Sequence, residues 1–366
     1  MTIIVKPTYA CNFRCRYCYL NSSTKNSHQI LDVEFMKDVI TQVKEVVSAI
    51  PKQPVTFIWH GGEPLLWGIE NYREIFSYME DELRGIDYKN AMQSNLSLID
   101  DDYIDLFLHH DVRIGFSLDG PKDINDTLRI TPNGEGTYST IMRKLKMCQS
   151  KGLSIGCIIV GNKKHIGQIS ELYHFLCEKN LNFKFNPLFK AGDATDNFEN
   201  LGITPDEYAD MCIELFNLWF YDSKHHIKES NFEEIATNLI SHKPSYCMFG
   251  KNCQDNFFAI APTGDVMPCG RFCDTDLLQH TYGNLHFEKL ADILHRIKYS
   301  EAYLRSEYIE KSDCKECRYF DICHGGCLHD GFIKSGNFKS KTFLCSAYKR
   351  IFNHIENQLN ITLTAN

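Results

Sequence analysis

The sequence predicts an α/β protein: a partial barrel of six parallel βα units, followed by a small cysteine-rich region with a β-hairpin and helices. Three observations carry this expectation. Candidate strands at 2–6, 55–59, 90–94, 113–118, 153–160 and 183–188 alternate with helical patterns near 32–49, 70–84, 100–110, 138–151 and 165–180, and such alternation makes parallel βα units. The alternation stops near Ile203. Beyond it, nine of the 16 cysteines are concentrated between Cys247 and Cys345.

A chain of 366 residues with 43% hydrophobic and 23% charged residues has the composition of a soluble globular protein. The net charge of −8 argues against a broad nucleic-acid surface, which needs clustered lysine and arginine. No apolar run approaches the ~18 residues that span a bilayer. Met1 to Lys6 has no signal-peptide anatomy, so a cytoplasmic location is expected. In that reducing compartment, cysteines serve metals or catalysis more often than disulfides.

The first strand runs into Cys11-Asn12-Phe13-Arg14-Cys15-Arg16-Tyr17-Cys18. At this cysteine content a CxxxCxxC pattern arises by chance about 0.03 times per chain. Three thiolates in one loop suit an iron–sulfur cluster, whose usual complement is four cysteines, and leave one iron open to a ligand. A zinc site completed by a distant ligand is the alternative that spacing leaves open. The second strand delivers His60-Gly61-Gly62-Glu63-Pro64. Its glycines let backbone approach a ligand closely, and Glu63 can accept hydrogen bonds from an ammonium group. The third strand ends in Ser94-Asn95 and the fourth in Ser117-Leu118-Asp119-Gly120, where barrel strands present side chains at their C-terminal face. Asp119 and Arg129 are either a structural pair or part of the site. Cys148, Cys157, Cys177 and Cys212 fall in strand or helix patterns and read as core.

CxxxCxxC after a first strand, with Tyr17 before the last cysteine and Gly61-Gly62-Glu63-Pro64 downstream, resembles the radical S-adenosylmethionine (SAM) superfamily. The resemblance implies an open six-stranded partial barrel and a [4Fe–4S] cluster on Cys11, Cys15 and Cys18 whose open iron binds SAM. One electron then cleaves SAM to a 5′-deoxyadenosyl radical, which abstracts a hydrogen atom. Tyr17, Gly61, Gly62, Glu63 and Asp119 would form the cofactor site, with Ser94 and Asn95 near the ribose and Ser117 near the carboxylate.

Thr204-Pro205-Asp206-Glu207 is a helix start, with Thr as N-cap, Pro at the first turn and Glu three residues on. That helix and a second near 232–241 form an expected bridge, 201–245, between a barrel of 1–200 and a domain of 246–366. There Cys314-x2-Cys317-x5-Cys323-x3-Cys327, with Cys345 beyond, resembles the SPASM domain of radical SAM maturases. The hairpin of Asn256 to Cys269, turning at Pro262-Thr263-Gly264-Asp265, fits the same family, as does Gly283-Asn284-Leu285. Carried over by position, the resemblance assigns Cys247, Cys253, Cys269 and Cys327 to one auxiliary [4Fe–4S] cluster and Cys314, Cys317, Cys323 and Cys345 to another, three clusters in all. Spacing alone also admits two zinc ions. Cys273 is surplus.

SPASM enzymes act mostly on peptides, so a precursor peptide and a low-potential reductant such as flavodoxin or ferredoxin are the expected partners, with no nucleic acid and no membrane. The pattern is similar to that of anaerobic sulfatase maturases, with two departures. Their proposed base, an Asp directly after the third ligand of the first auxiliary cluster, is Gly270 here, and the Gln before their GGEP is His60. Asp265, Asp274 and Asp276 stand as alternative bases. The expected reaction is a side-chain crosslink in a ribosomally made peptide, with formylglycine formation as the alternative. His60, Arg271 and Asp274 are the candidate catalytic residues. No leader-binding domain of ~80 residues fits before Cys11.

Overall fold

The computed structural model describes residues 1–50, 52–244, 247–272 and 280–365; Cys273, Asp274 and Asp276 lie outside them. Six strands, β1 (Thr2–Val5), β2 (Val55–Trp59), β3 (Tyr88–Ser94), β4 (Arg113–Ser117), β5 (Ile155–Gly161) and β6 (Phe183–Pro187), pair in parallel and in chain order. The crossover helices include Val33–Ser48, Ile69–Glu82, Asp101–His109, Tyr138–Ser150 and Ile169–Glu178. Each packs an apolar stripe on the sheet, as Met36, Val39, Ile40, Val43 and Val47 do in the first. Asp32 starts that helix by accepting from Phe35 N at 2.8 Å. These are the parallel βα units that the alternation predicted, in the α/β partial barrel that the resemblance implied.

The sheet does not end at β1. β7 (Phe257–Ile260) pairs with it in parallel, and β8 (Asp265–Met267) and β9 (Gly283–Asn284) follow antiparallel, giving the order β6-β5-β4-β3-β2-β1-β7-β8-β9. The hairpin turns where Gly264 adopts φ +82°, a conformation suited to glycine. Asn284 Nδ2 clamps the turn, donating to Thr263 O and Asp265 Oδ1, each at 2.9 Å. Asp265 is therefore a turn residue.

The helix Pro205–Phe220 starts with the expected reciprocal cap: Glu207 N donates to Thr204 Oγ1 at 3.2 Å and Thr204 N to Glu207 Oε2 at 2.7 Å. It packs on the final helix, Cys345–Ala365, where Phe216 meets the edge of His354 and Arg350 pairs with Asp206 and Asp210. Helices at Lys122–Leu128 and Ala194–Leu201 were not expected; Leu290–Ile297, Glu301–Glu310 and Leu328–Ser335 are helices of the cysteine-rich region, where helices were expected without bounds. Cys148, Cys157, Cys177 and Cys212 are buried in the apolar core.

Candidate active site: a polar rim between two cysteine groups

The loop that carries the cysteine triad is shaped by the Gly61-Gly62-Glu63 segment behind it. Gly62 N donates to Thr8 O at 3.1 Å and Glu63 N to Ala10 O at 2.8 Å. A Cβ on Gly62 would lie 2.2 Å from the carbonyl oxygens of Tyr9 and Ala10, and Gly61 has φ +144°. The glycines were expected to admit a ligand; they also let two backbone loops meet, and one of those loops presents Cys11.

Cys11, Cys15 and Cys18 interact electrostatically with one another. Burial, reinforced by the neighbouring thiols, pushes Cys11 up to about 12, and burial pushes Cys15 up to about 11. Three thiolates in such a place require a compensating cation. Among the described residues no three of the chain's cysteines bring their sulfurs within 4.8 Å of one another. Thiolates sharing one zinc ion at about 2.3 Å would stand roughly 3.8 Å apart. The donor set and its spread therefore fit a polynuclear iron–sulfur cluster better than a single ion.

Beneath the triad lies a buried polar network. The Glu63 carboxylate accepts from Ser94 Oγ (2.8 Å), Asn95 N (2.7 Å) and Leu65 N (3.1 Å). Burial raises it to about 7 against the pull of those bonds. Asn95 Nδ2 donates to Asn12 Oδ1 at 2.8 Å and lies 3.9 Å from Cys11 Sγ. Asp119 and Arg129 do not pair directly. Tyr17 stands between them, its hydroxyl donating to Asp119 Oδ2 at 2.5 Å and accepting from Arg129 Nη1 at 2.6 Å. Tyr17, Ser94 and Asp119 thus brace the loop through committed polar atoms.

Strand alternation places Lys6, His60, Gln93 and Ser117 in neighbouring positions at the C-terminal ends of β1 to β4. Gln93 Nε2 donates to Ser117 Oγ at 3.0 Å. Gly61 N donates to His60 Nδ1 at 2.7 Å, so the neutral ring carries its proton on Nε2. Burial, with the charges of Lys6 and Arg271 nearby, lowers His60 to about 3. Tyr19 meets both His60 (6.1 Å between ring centres) and Phe189 (6.4 Å). Phe189 in turn stacks under the Arg271 guanidinium at 4.8 Å and meets His329 at 5.0 Å. Arg271 Nη1 donates to buried Asp330 at 3.0 Å and lies 3.9 Å from Cys327 Sγ. Arg271 is thus fastened in place by its ion pair. Gly270, where the sulfatase-maturase pattern has Asp, faces β1, and a Cβ there would touch Ile4 Cγ2 at 3.0 Å.

The C-terminal cysteines gather in two groups of four. Cys247 interacts electrostatically with Cys253, Cys269 and Cys327. Cys323 does so with Cys314, Cys317 and Cys345, and those four line one cavity. Gly325 and Gly326, at φ +79° and +71°, turn the chain between Cys323 in one group and Cys327 in the other. Arg305 lies buried between the groups, donating to Gly325 O and Ser340 O and sensing Cys253 and Cys327 on one side and Cys314 and Cys323 on the other. Lys6, Phe189, Arg305, His329 and Asp330 were not singled out from the sequence. Only Lys6 carried a signal, a lysine in register with Ile4 at the C-terminal end of a barrel strand.

Residues 5–176 match the sequence model of the Radical SAM superfamily and residues 247–318 that of the SPASM iron–sulfur cluster-binding domain. The chain belongs to the radical SAM superfamily and is a radical SAM enzyme with a SPASM domain; such enzymes use SAM and a [4Fe–4S] cluster, and the SPASM domain binds auxiliary iron–sulfur clusters. More particularly, it is 26% identical to a cysteine-type anaerobic sulfatase-maturating enzyme of Clostridium novyi, over 96% of this chain and 94% of that one. Its fold matches that of anSMEcpe with bound AdoMet and Cp18Cys peptide (TM-score 0.83, 20% identity, 100% of this chain and 99% of that one). It also matches Streptococcus suis SuiB bound to the precursor peptide SuiA (TM-score 0.64, 16% identity, 94% and 75%).

Proposed function

We propose that this protein is a peptide maturase that oxidises a side chain of a bound peptide and closes a crosslink within it. The observation that carries the reading is the rim of Lys6, His60, Gln93, Tyr19 and Phe189, which runs from the cysteine triad to the Cys269–Cys327 group. A substrate on that rim has a radical source on one side and an electron acceptor on the other.

In this reading Cys11, Cys15 and Cys18 hold the SAM-binding cluster. Cys247, Cys253, Cys269 and Cys327 hold one auxiliary cluster, and Cys314, Cys317, Cys323 and Cys345 the other. When bound, the first cluster supplies the electron that cleaves SAM, and the auxiliary clusters accept the electron released as the peptide is oxidised. Backbone at Gly62 and the Glu63 carboxylate orient the cofactor's amino group. The neutral His60 ring offers its Nε2–H to the substrate and carries no charge near the radical. Crosslinking would remove two hydrogens from the peptide, one as a hydrogen atom, which bound SAM chemistry would accept, and the other as a proton with an electron, which the auxiliary clusters would accept.

The name of the Clostridium novyi relative, and the fold match to anSMEcpe, favour a second reading, formylglycine formation. Gly270 packed on Ile4 speaks against it, because the family's proposed base has no counterpart there. Cluster-loaded enzyme, SAM, reductant and either a sulfatase-motif peptide or a candidate precursor peptide separate the two by mass spectrometry. A product lacking two hydrogens and inert to hydrazide supports the crosslink. A hydrazide-reactive aldehyde on the sulfatase peptide replaces it with the second reading. Flavodoxin or ferredoxin is the proposed reductant and the cytoplasm the proposed location; among the described residues no helix is long and apolar enough to cross a membrane.

A further inference from the structure

Two lysines are buried among the described residues, and they differ in one respect. Lys25 is ion-paired with Asp193. Lys6, fully buried at the C-terminal end of β1, has no carboxylate partner among the described residues. Its Nζ donates to Tyr19 Oη at 3.2 Å and lies 5.1 Å and 5.6 Å from the ring centres of Tyr19 and Tyr9. Among the described residues, the other charged or titratable groups around it leave it uncompensated. His60 is held neutral by burial, and Arg271 is engaged with Asp330. An ammonium buried without an anion costs several kcal/mol, so its retention in a site implies that an anion completes it.

We infer that Lys6, framed by Tyr9, Tyr19 and the His60 Nε2–H, is a subsite for a carboxylate of the substrate, and that the enzyme selects peptides with an Asp or Glu beside the residue it modifies. The inference rests on the maturase reading and names its substrate class. Position argues for substrate over cofactor. Lys6 lies three strands from Ser117, roughly 14 Å at the spacing of paired strands. Its backbone N donates to Ile260 O of β7, and its Nζ bonds Tyr19, whose ring meets Phe189 beneath the Arg271 guanidinium. A carboxylate there exchanges water for a charge-assisted bond, whereas a carboxamide of equal size would offer the ammonium only a neutral carbonyl.

The test uses cluster-loaded, SAM-bound enzyme and two synthetic twelve-residue peptide libraries, identical except that Asp and Glu in one are Asn and Gln in the other. Bound peptides are recovered anaerobically and counted by mass spectrometry, and peptide-stimulated 5′-deoxyadenosine release is measured in parallel. Wild type should retain the acidic peptides at least about 10-fold better, in the range of buried charge pairs at interfaces. Lys6→Met and Lys6→Gln should lose that preference while keeping iron content and SAM affinity. Stimulated release without acid preference, or preference that survives in Lys6→Met, overturns the inference and leaves the maturase reading standing. Stimulation by neither library overturns both. If the variants fail to load iron, the preference of wild type alone decides.

Discussion

The N-terminal and C-terminal cysteine groups are built on opposite plans. Cys11, Cys15 and Cys18 sit within eight residues, and their loop is shaped by hydrogen bonds from other strand ends: Gly62 and Glu63 after β2, Asn95 after β3, and the Tyr17–Asp119–Arg129 relay after β4. Cys247, Cys253, Cys269 and Cys327 come from segments that span 80 residues of sequence, and glycine turns and a buried Arg305 keep them apart from the second group of four. In the proposed reading the first plan leaves a ligand position open on its cluster, and the second surrounds each of its clusters with protein ligands. An open position suits cofactor chemistry, and a closed one suits electron transfer and structure.

The largest expected effect separates the two plans outright. Cys11→Ala/Cys15→Ala/Cys18→Ala should abolish SAM cleavage, while iron analysis after reconstitution falls from about 12 atoms to about 8. Equal loss from both regions would erase the contrast. Gly62→Ala comes next, because its Cβ would collide with two carbonyl oxygens at 2.2 Å. Cluster loading at the N-terminal site should fail in that variant, while the spectroscopic signal of the auxiliary clusters persists.

Arg305→Met sharpens the comparison from the other side. Removing a buried cation near both C-terminal groups should lower the midpoint potentials of both auxiliary clusters and leave the SAM-binding cluster unmoved, as read by anaerobic redox titration with EPR. Tyr17→Phe should have the smallest effect of this series. It leaves the Asp119 and Arg129 groups that its hydroxyl joined without that partner, at a cost of about 1–3 kcal/mol in thermal or denaturant unfolding.

A pH test addresses the barrel without touching any cysteine. Buried Glu229 accepts from Phe185 N at 2.8 Å and Phe232 N at 2.6 Å, and burial raises it to about 7. Its proton is held more tightly folded than unfolded. Its contribution to stability is therefore full below about pH 4.5, declines as pH rises toward 7, and is constant above. Glu229→Gln should remove about one proton's worth of slope in that window, measured by denaturant unfolding at several pH values.

Much of this was legible in the chain. The six barrel strands showed through their alternation with helical patterns, and β1, β2 and β5 also as largely apolar runs. The cysteine triad and the Gly61-Gly62-Glu63 turn showed because the chemistry needs those residue types close in sequence. Arg305, His329, Asp330 and Phe189 did not show. Phe189 reaches the cysteine groups from the loop after β6, and the other three only through tertiary packing, from helices whose short patterns, one interrupted by Gly331, gave weak periodicity. The pairing of β7 with β1 was hidden for a related reason: a hairpin signal specifies its own turn but not the edge on which it docks.

That docking gives the order of synthesis a physical meaning. β1 leaves the ribosome first, yet one of its two edges has no partner until β7, some 250 residues later, has been made. At typical elongation rates that interval is roughly 10–50 s. During it, the strand that leads into the cysteine triad offers an unpaired edge to any other chain, a known route to aggregation. A chaperone or an early-acting cluster-assembly factor that covers this edge would act on the nascent chain, before the cysteines of the C-terminal region exist.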